Sequence, residues 1–188
     1  MSDPVSFLLA VAVILATPGP TNTLMATSGA VSGFRKWLHL LLGELFGYLI
    51  AIYAIRVVAG PILEQFPMLA TALKVAVALY LVFLAIKLWR RPIVIDEQAQ
   101  PVTFANVFVT TLLNPKALIF ALTVFPHEPE LLLSRTLGFC ALVVVAGGGW
   151  IVLGAVLKGL SGPHAGYIPR VASIVLIGFV GFILRSAI

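Results

Sequence analysis

The sequence predicts an all-α membrane protein, with six transmembrane helices in two inverted three-helix repeats and helices 1 and 4 broken by proline. Three observations support this fold class. The 188 residues are 61% hydrophobic and 10% charged, with a mean hydropathy of +1.11, whereas a soluble domain carries about 25% charged residues. Several apolar runs reach the length of a membrane span. Prolines interrupt two of these runs near their centres.

Six apolar runs alternate with short polar connections. Each is close to the roughly 17–25 residues that a transmembrane helix needs. No connection is long enough for a soluble domain, so residues 1–188 are predicted to form a single polytopic membrane domain. The most polar connection separates repeat one, 1–91, from repeat two, 101–188. The runs cover residues 5–28, 38–60, 68–89, 104–126, 132–157 and 169–186.

The basic residues predict the orientation. The net charge of +5 is scattered singly between apolar runs, which argues against nucleic-acid binding and indicates topology signals. Connections one, three and five carry seven basic residues, against four on the opposite side if Arg56 snorkels there. Positive charge stays in the cytoplasm, so both termini are predicted outside. The seven are Arg35, Lys36, Lys87, Arg90, Arg91, Lys158 and Arg170, and the others on the opposite side are Lys74, Arg135 and Arg185.

The two halves are predicted to be inverted repeats. Each has three helices, an odd number, so the second half must enter the membrane in the opposite direction. Each opens with a broken helix, and the offset from Pro18 to Pro115 is 97 residues, close to half the chain. Discontinuous helices of inverted repeats meet at a binding site near the membrane midplane.

The first break is Pro18-Gly19-Pro20. Both prolines lack an amide hydrogen, and their rings displace the carbonyls of Ile14 and Ala16, which would be free to hold water, a cation or an ammonium group. Gly19 is expected to allow a sharp turn. After the break the helix is polar, with Asn22 in its first turn, and its free amides suit a carboxylate. A proline kink that serves only packing is the alternative.

The second break is Asn114-Pro115-Lys116. Pro115 is expected to free the carbonyl of Thr111, and Asn114 can donate or accept a hydrogen bond. A lysine near the midplane costs about 2.5–3.5 kcal/mol on insertion scales, so Lys116 should face the interior of the bundle. A lysine paired with an acid purely to lock two helices is the alternative.

Glu44 is the expected acidic neighbour of Lys116. It lies about 9 Å inside the predicted membrane edge, and Gly47 follows one turn later on the same face. Small residues mark close helix contacts, so Glu44 should point into the bundle as a candidate for proton coupling. Alternatively, its carboxyl reaches the headgroups near Arg35 or Lys36.

The remaining reactive residues favour neither a cofactor nor a metal. Cys140 is the single cysteine, so no disulfide or thiol relay forms within one chain. Arg56 is interpreted as a snorkelling anchor rather than a ligand. Gly147-Gly148-Gly149 indicates close packing or, alternatively, a gating hinge. No two histidines have metal-ligand spacing among His39, His127 and His164.

Five segments together resemble the LysE/RhtB family of amino-acid exporters. The resemblance covers nearly the whole chain. It departs after Phe125-Pro126, where His127-Glu128-Pro129-Glu130 stands in place of the usual glutamine and hydrophobic residues, and at Trp37-Leu38-His39. The segments are Ala16-Thr17-Pro18-Gly19-Pro20, Gly33 with Arg35, Gly43-Glu44 with Gly47, Ala78-Leu79-Tyr80-Leu81 before Lys87, and Leu113-Asn114-Pro115-Lys116-Ala117.

The resemblance implies a carrier of the bacterial cytoplasmic membrane that exports amino acids or related metabolites, in many members by proton exchange. It places both breaks on the family's signature positions and Glu44 on a position that is often acidic. The partners it implies are a small-molecule substrate, protons and the lipid bilayer. A passive channel or ion transporter of the same architecture is the alternative, and a membrane redox carrier would need paired cysteines. The sequence leaves a homo-oligomer open.

Overall fold

The computed structural model describes residues 3–34, 37–90, 101–126, 128–157 and 174. These residues form helices, and no strand occurs among them. The predicted sixth run, 169–186, lies outside these residues except at residue 174. Six of the basic residues that predict the orientation also lie outside the described residues: Arg35, Lys36, Arg91, Lys158, Arg170 and Arg185. The helices are α1 (Pro4–Ala16), α2 (Pro20–Ser32), α3 (Trp37–Gln65), α4 (Pro67–Arg90), α5 (Phe104–Leu112), α6 (Pro115–Ile119), a π-helix (Phe120–Val124) and α7 (Pro129–Leu157).

Both predicted proline breaks are confirmed. The axes of α1 and α2 differ by 62°, and those of α5 and the segment Pro115–Val124 by 45°. Residues Trp37–Leu63 of α3 and the whole of α7 are each long and apolar enough to cross a membrane. Counting each bent pair as one span gives up to four spans within the described residues. The arrangement of six helices as inverted repeats therefore stays a prediction.

Local backbone preferences end and restart the first broken helix. Thr17 is extended, with φ −65° and ψ 130°, because a residue that precedes proline is pushed out of the helical region. Pro20 then occupies the first position of α2, where its missing amide costs no helical hydrogen bond. Gly33 ends α2 with φ +59°, a left-handed conformation that glycine adopts without steric cost.

The second predicted connection is shorter than expected. It was predicted between the apolar runs 38–60 and 68–89, but α3 continues through Pro61 to Gln65. A proline inside a helix removes one hydrogen bond and crowds the carbonyl four residues earlier, but its φ is already helical, so a helix can continue past it at that cost. The loop between α3 and α4 is therefore reduced to Phe66.

Glycines bring the helices of the two halves into backbone contact. α2 packs against α7 and α3 packs against α5. A Cβ atom at Gly29 would collide with the carbonyl oxygen of Ile151, and one at Gly154 with that of Ala26. Such close approach of small residues is how membrane helices gain packing contacts. Each broken span thus lies against an unbroken helix from the other half of the chain.

An aromatic cluster fills the interior beside the breaks. Its rings come from α1, α3, the π-helix and α7, and most pairs meet edge to face. The Phe120 and Phe139 centroids are 5.0 Å apart, and those of Tyr48 and Phe120 are 5.6 Å apart. Edge-to-face pairs add roughly 0.5–1.5 kcal/mol each beyond the burial of area. The cluster therefore fixes how these four segments meet, and comprises Phe7, Tyr48, Phe120, Phe125 and Phe139.

Candidate functional site

The first break exposes different carbonyls from those expected. The amide of Thr17 still donates to the carbonyls of Val13 and Ile14, at 3.1 and 3.3 Å, so the Ile14 carbonyl is not free. The buried side chain of Asn22 instead donates from Nδ2 to the carbonyls of Leu15, at 2.7 Å, and Thr17, at 2.9 Å. Because the Thr17 amide closes the last turn of α1, the helical hydrogen bonding ends one residue later than expected.

The second break is organised by Asn114. This residue caps α6, and its Oδ1 accepts a hydrogen bond from the amide of Lys116 at 3.0 Å. The expectation that Pro115 frees the Thr111 carbonyl is wrong, because that carbonyl accepts from the amide of Asn114 at 3.0 Å. A tight turn after α5 thus replaces the helical bond that the proline removes.

Polar side chains join the two breaks directly. Asn114 Nδ2 donates to Thr21 Oγ1 at 3.0 Å, and the hydroxyls of Thr21 and Thr111 are 3.1 Å apart. The same Nδ2 is 3.4 Å from the hydroxyl of Tyr48. All four residues are buried. In a low-dielectric interior a fully satisfied network of this kind fixes one arrangement of its helices.

Lys116 crosses from the second break to the first. Its side chain is 3% exposed, and its ammonium donates to the carbonyl oxygen of Thr17. The lysine side chain passes close to Gly19, since a Cβ there would be 3.2 Å from Lys116 Cε. The chain bends by 62° at the first break, but the bend does not depend on a conformation that only glycine adopts at position 19. The backbone of Gly19 is extended, with φ −165° and ψ −179°, which any residue adopts.

The first turn of α2 lies beside this ammonium. Gly19 is its N-cap and makes no side-chain capping bond, and Pro20, Thr21 and Asn22 form the turn. The first amides of a helix have no helical acceptor and carry the positive end of the dipole. Positive charge from Lys116 and from the start of α2 therefore converges at the first break.

Glu44 points into the bundle, as expected. It is 2% exposed, and its Oε2 has no hydrogen-bond partner among the residues that the structure describes. Glu44 and Lys116 interact electrostatically, but the ammonium hydrogen-bonds to Thr17 rather than to the carboxyl oxygen Oε2. The side chains of Glu44 and Lys116 thus lie in the same interior region, but they contact different groups.

The sequence did not single out every residue of the site. Tyr48 lies one turn after Glu44 on α3, and this i, i+4 spacing could have indicated its inward position. Thr17 and Thr21 acquire their roles only where the second break meets the first. Arg56 is more than the expected snorkelling anchor, because it donates to the carbonyls of Phe125, at 3.4 Å, and Pro126, at 2.7 Å.

In the described part of the chain, no three His, Cys, Asp or Glu side chains are grouped so that they could bind a metal ion.

Comparison with known proteins decides the family. A sequence model for the LysE type translocator matches residues 12–186. The chain belongs to this family. LysE type translocators are membrane transporters rather than enzymes. The buried polar residues at the breaks are therefore expected to act in transport rather than in catalysis.

Characterised relatives of this LysE type translocator are efflux proteins. The cysteine/O-acetylserine efflux proteins of Escherichia coli (strain K12), Shigella flexneri and Shigella sonnei (strain Ss046) are each 30% identical to it over 135 residues. The match covers 70% of this chain and 69% of each relative. No solved structure matches the chain significantly.

Proposed function

We propose that this protein is a secondary exporter of amino acids or related small metabolites, driven by proton exchange, with its substrate site where the two helix breaks meet. The observation that carries the proposal is the hydrogen bond from Lys116, at the second break, to the carbonyl of Thr17, at the first. Two broken helices, a buried cation and a buried carboxylate converge there, as in discontinuous-helix transporters.

The substrate carboxylate would bind at the positive side of this site. The first amides of α2 and the ammonium of Lys116 supply the charge and the donors that a carboxylate needs. Lys116 is a point charge on a flexible stem, so it can leave the Thr17 carbonyl and turn to the substrate without rearranging the helices.

The substrate ammonium would take the place that Lys116 vacates. The Thr17 carbonyl accepts from both Lys116 and Asn22 in the present structure. An incoming ammonium group offers three donors and would replace the lysine donor there, so that no buried carbonyl is left unpaired. The lysine ammonium that bonds to the Thr17 carbonyl thus chemically resembles the ammonium group of the proposed substrate.

Glu44 is the proposed proton-coupling group. It is an acidic residue buried near Lys116, and no group among the described residues donates a hydrogen bond to its Oε2. The proton affinity of a carboxyl group in such surroundings is sensitive to nearby charge and hydration. Both change when substrate enters and when the site opens to the opposite side of the membrane.

The packing of the helices supports inverted repeats. The first broken span, α1 and α2, lies against α7 of the second half, and α5 of the second broken span lies against α3 of the first half. A two-fold axis in the membrane plane would exchange these two contacts. With the basic connections in the cytoplasm, both termini lie outside a bacterial cytoplasmic membrane.

The names of the efflux relatives suggest where to look for the substrate. They point to small α-amino acids, and the test is efflux from proteoliposomes loaded with a panel that includes cysteine and O-acetylserine. We expect at least one substrate to move against its own gradient when a proton gradient is imposed. Flux that only ever follows the substrate gradient, whatever the proton gradient, would instead establish a passive channel.

A further inference from the structure

One glycine of the Gly147-Gly148-Gly149 segment touches the candidate site. A Cβ atom on Gly147 would collide with Oε2 of Glu44, and would also lie 2.6 Å from Cδ2 of Leu41 and 3.2 Å from Cε of Met25. A Cβ atom on Gly148 or Gly149 would meet no atom of the described residues within 4 Å. The carboxyl oxygen of Glu44 therefore occupies the space that a side chain at position 147 would fill.

We infer that Gly147 is a positioning residue for Glu44: its missing side chain forms a notch in α7 that receives the carboxyl group. The inference rests on the proposed function, in which Glu44 couples export to protons. It assigns the notch a role in transport that packing alone would not require, because the notch decides where the coupling carboxyl sits.

The surroundings of the notch show why its shape matters. The described titratable groups that act on Glu44 are Lys116, from α6, and Tyr48, from α3 itself. Besides Oε2, the atoms nearest to the missing Cβ of Gly147 are Cδ2 of Leu41, from α3, and Cε of Met25, from α2. Both of these atoms are apolar, and no group among the described residues donates a hydrogen bond to Oε2. A small displacement of the carboxyl group would change both its distance from Lys116 and its access to water.

The notch also ties Glu44 to helix movement. Glu44 lies on α3, whereas the notch lies on α7, which packs against α2. Any transport step that slides α7 relative to α3 must move the carboxyl out of the notch or carry it along. The side chain that senses protons would thereby respond to the arrangement of the helices.

A double-mutant cycle tests the contact without transport. We expect Gly147→Ala to lower the melting temperature of the detergent-solubilised protein by about 2–4 °C, because overpacking a buried site is destabilising but the atoms that the new Cβ meets are the ends of flexible side chains. In a Glu44→Ala background, the same change should cost less than half as much, since the colliding carboxyl is gone. An equal loss in both backgrounds would overturn the inference.

The pH profile of gradient-driven export tests the functional role, with O-acetylserine and cysteine as probes in proteoliposomes. We expect Gly147→Ala to move the midpoint of the profile by about half a pH unit or more, while Gly148→Ala and Gly149→Ala keep the wild-type midpoint. Glu44→Asp, which withdraws the carboxyl by one methylene, should move the midpoint of the Gly147→Ala protein back toward the wild-type value.

The outcomes separate this inference from the proposed function. If Glu44→Gln keeps proton-driven export, the coupling role of Glu44 fails. If Glu44→Gln loses that export while Gly147→Ala has the same midpoint as the two control variants, the notch alone fails. Should Gly147→Ala accumulate poorly in cells, recovery of its level by Glu44→Ala would support the notch, and no recovery would overturn it.

Discussion

The ammonium of Lys116 donates a hydrogen bond to the carbonyl oxygen of Thr17, a residue 99 positions earlier in the chain. A proline places each of these two groups where it can form the hydrogen bond. Thr17 is extended because Pro18 follows it, and Lys116 stands in the first turn of a helix that Pro115 starts. Two local defects in the helices thus satisfy each other's polar groups across the middle of the molecule.

Replacing Lys116 with methionine should weaken the binding of substrates that carry a carboxylate. Methionine keeps the length and apolar stem of lysine but removes the charge, and a hydrogen bond to a charged group contributes about 1.5–3 kcal/mol. We expect the affinity for an amino acid to fall by about tenfold to a hundredfold, measured by substrate-dependent stabilisation of the purified protein.

The control for Lys116→Met is the substrate itself. The amide analogue of the same amino acid lacks the carboxylate, so its weaker binding should change little between wild-type and variant. If acid and amide lose affinity equally, Lys116 shapes the site without recognising the carboxylate.

Asn114→Ala should impair both stability and export. The change removes the cap of α6, which costs about 0.5–2 kcal/mol, and also the donor to Thr21 that joins the breaks. The matched control is Thr103→Ala, which removes an exposed capping box from α5. Both variants should melt a few degrees lower, but only Asn114→Ala should slow efflux in proteoliposomes. Normal efflux by Asn114→Ala would show that the link between the breaks is dispensable.

The positions of the breaks could be predicted from the sequence, whereas the groups that they expose could not. Prolines mark the interruptions because their rings exclude a helical hydrogen bond. Which carbonyl becomes available depends on how the preceding turn closes, and here Thr17 and Asn114 each donate an amide back to the carbonyl that was expected to be free. That choice is made by the neighbouring backbone and not by the proline.

The contacts between the halves were likewise hidden in the sequence. Helices that are apolar on every side give no periodic signal for the face that meets a neighbour. The inward direction of Glu44 could be predicted because Gly47 lies one turn later on the same face, and small residues mark close helix contacts. Gly147 gave no such signal, since the sequence does not distinguish it from Gly148 and Gly149, and only the position of Glu44 does.

Gly154→Ala should destabilise the protein through the contact between α2 and α7. The new Cβ would collide with the carbonyl oxygen of Ala26, and a backbone atom cannot move aside as a side chain can. We expect the melting temperature to fall by about 4 °C or more. Gly149→Ala, in the same helix with open space around it, should be neutral or slightly stabilising, because alanine favours helix over glycine. Equal melting temperatures for the two variants would contradict this packing.

Arg56→Lys should lower stability although the charge is kept. The guanidinium donates through separate nitrogens to the carbonyls of Phe125 and Pro126, which end the π-helix, and a lysine ammonium does not reproduce this fork. We expect a loss of about 1 kcal/mol, seen as a fall of a few degrees in the melting temperature. A residue that only snorkels to the membrane surface would tolerate lysine, so an unchanged melting temperature would restore the anchor interpretation.

Glu44→Gln should abolish proton-driven export while leaving the protein folded. Glutamine has the shape of glutamic acid, so it fills the notch at Gly147, but it cannot release or take up a proton. The relevant measurement is accumulation against a substrate gradient under an imposed proton gradient, compared with exchange of substrate at equal concentrations on both sides. Exchange should persist, because it needs the site but no net proton movement, whereas accumulation should fall to the background of empty liposomes. The matched control is Glu128→Gln, an exposed residue before α7, which should accumulate substrate normally. Undiminished accumulation by Glu44→Gln would place proton coupling elsewhere in the chain.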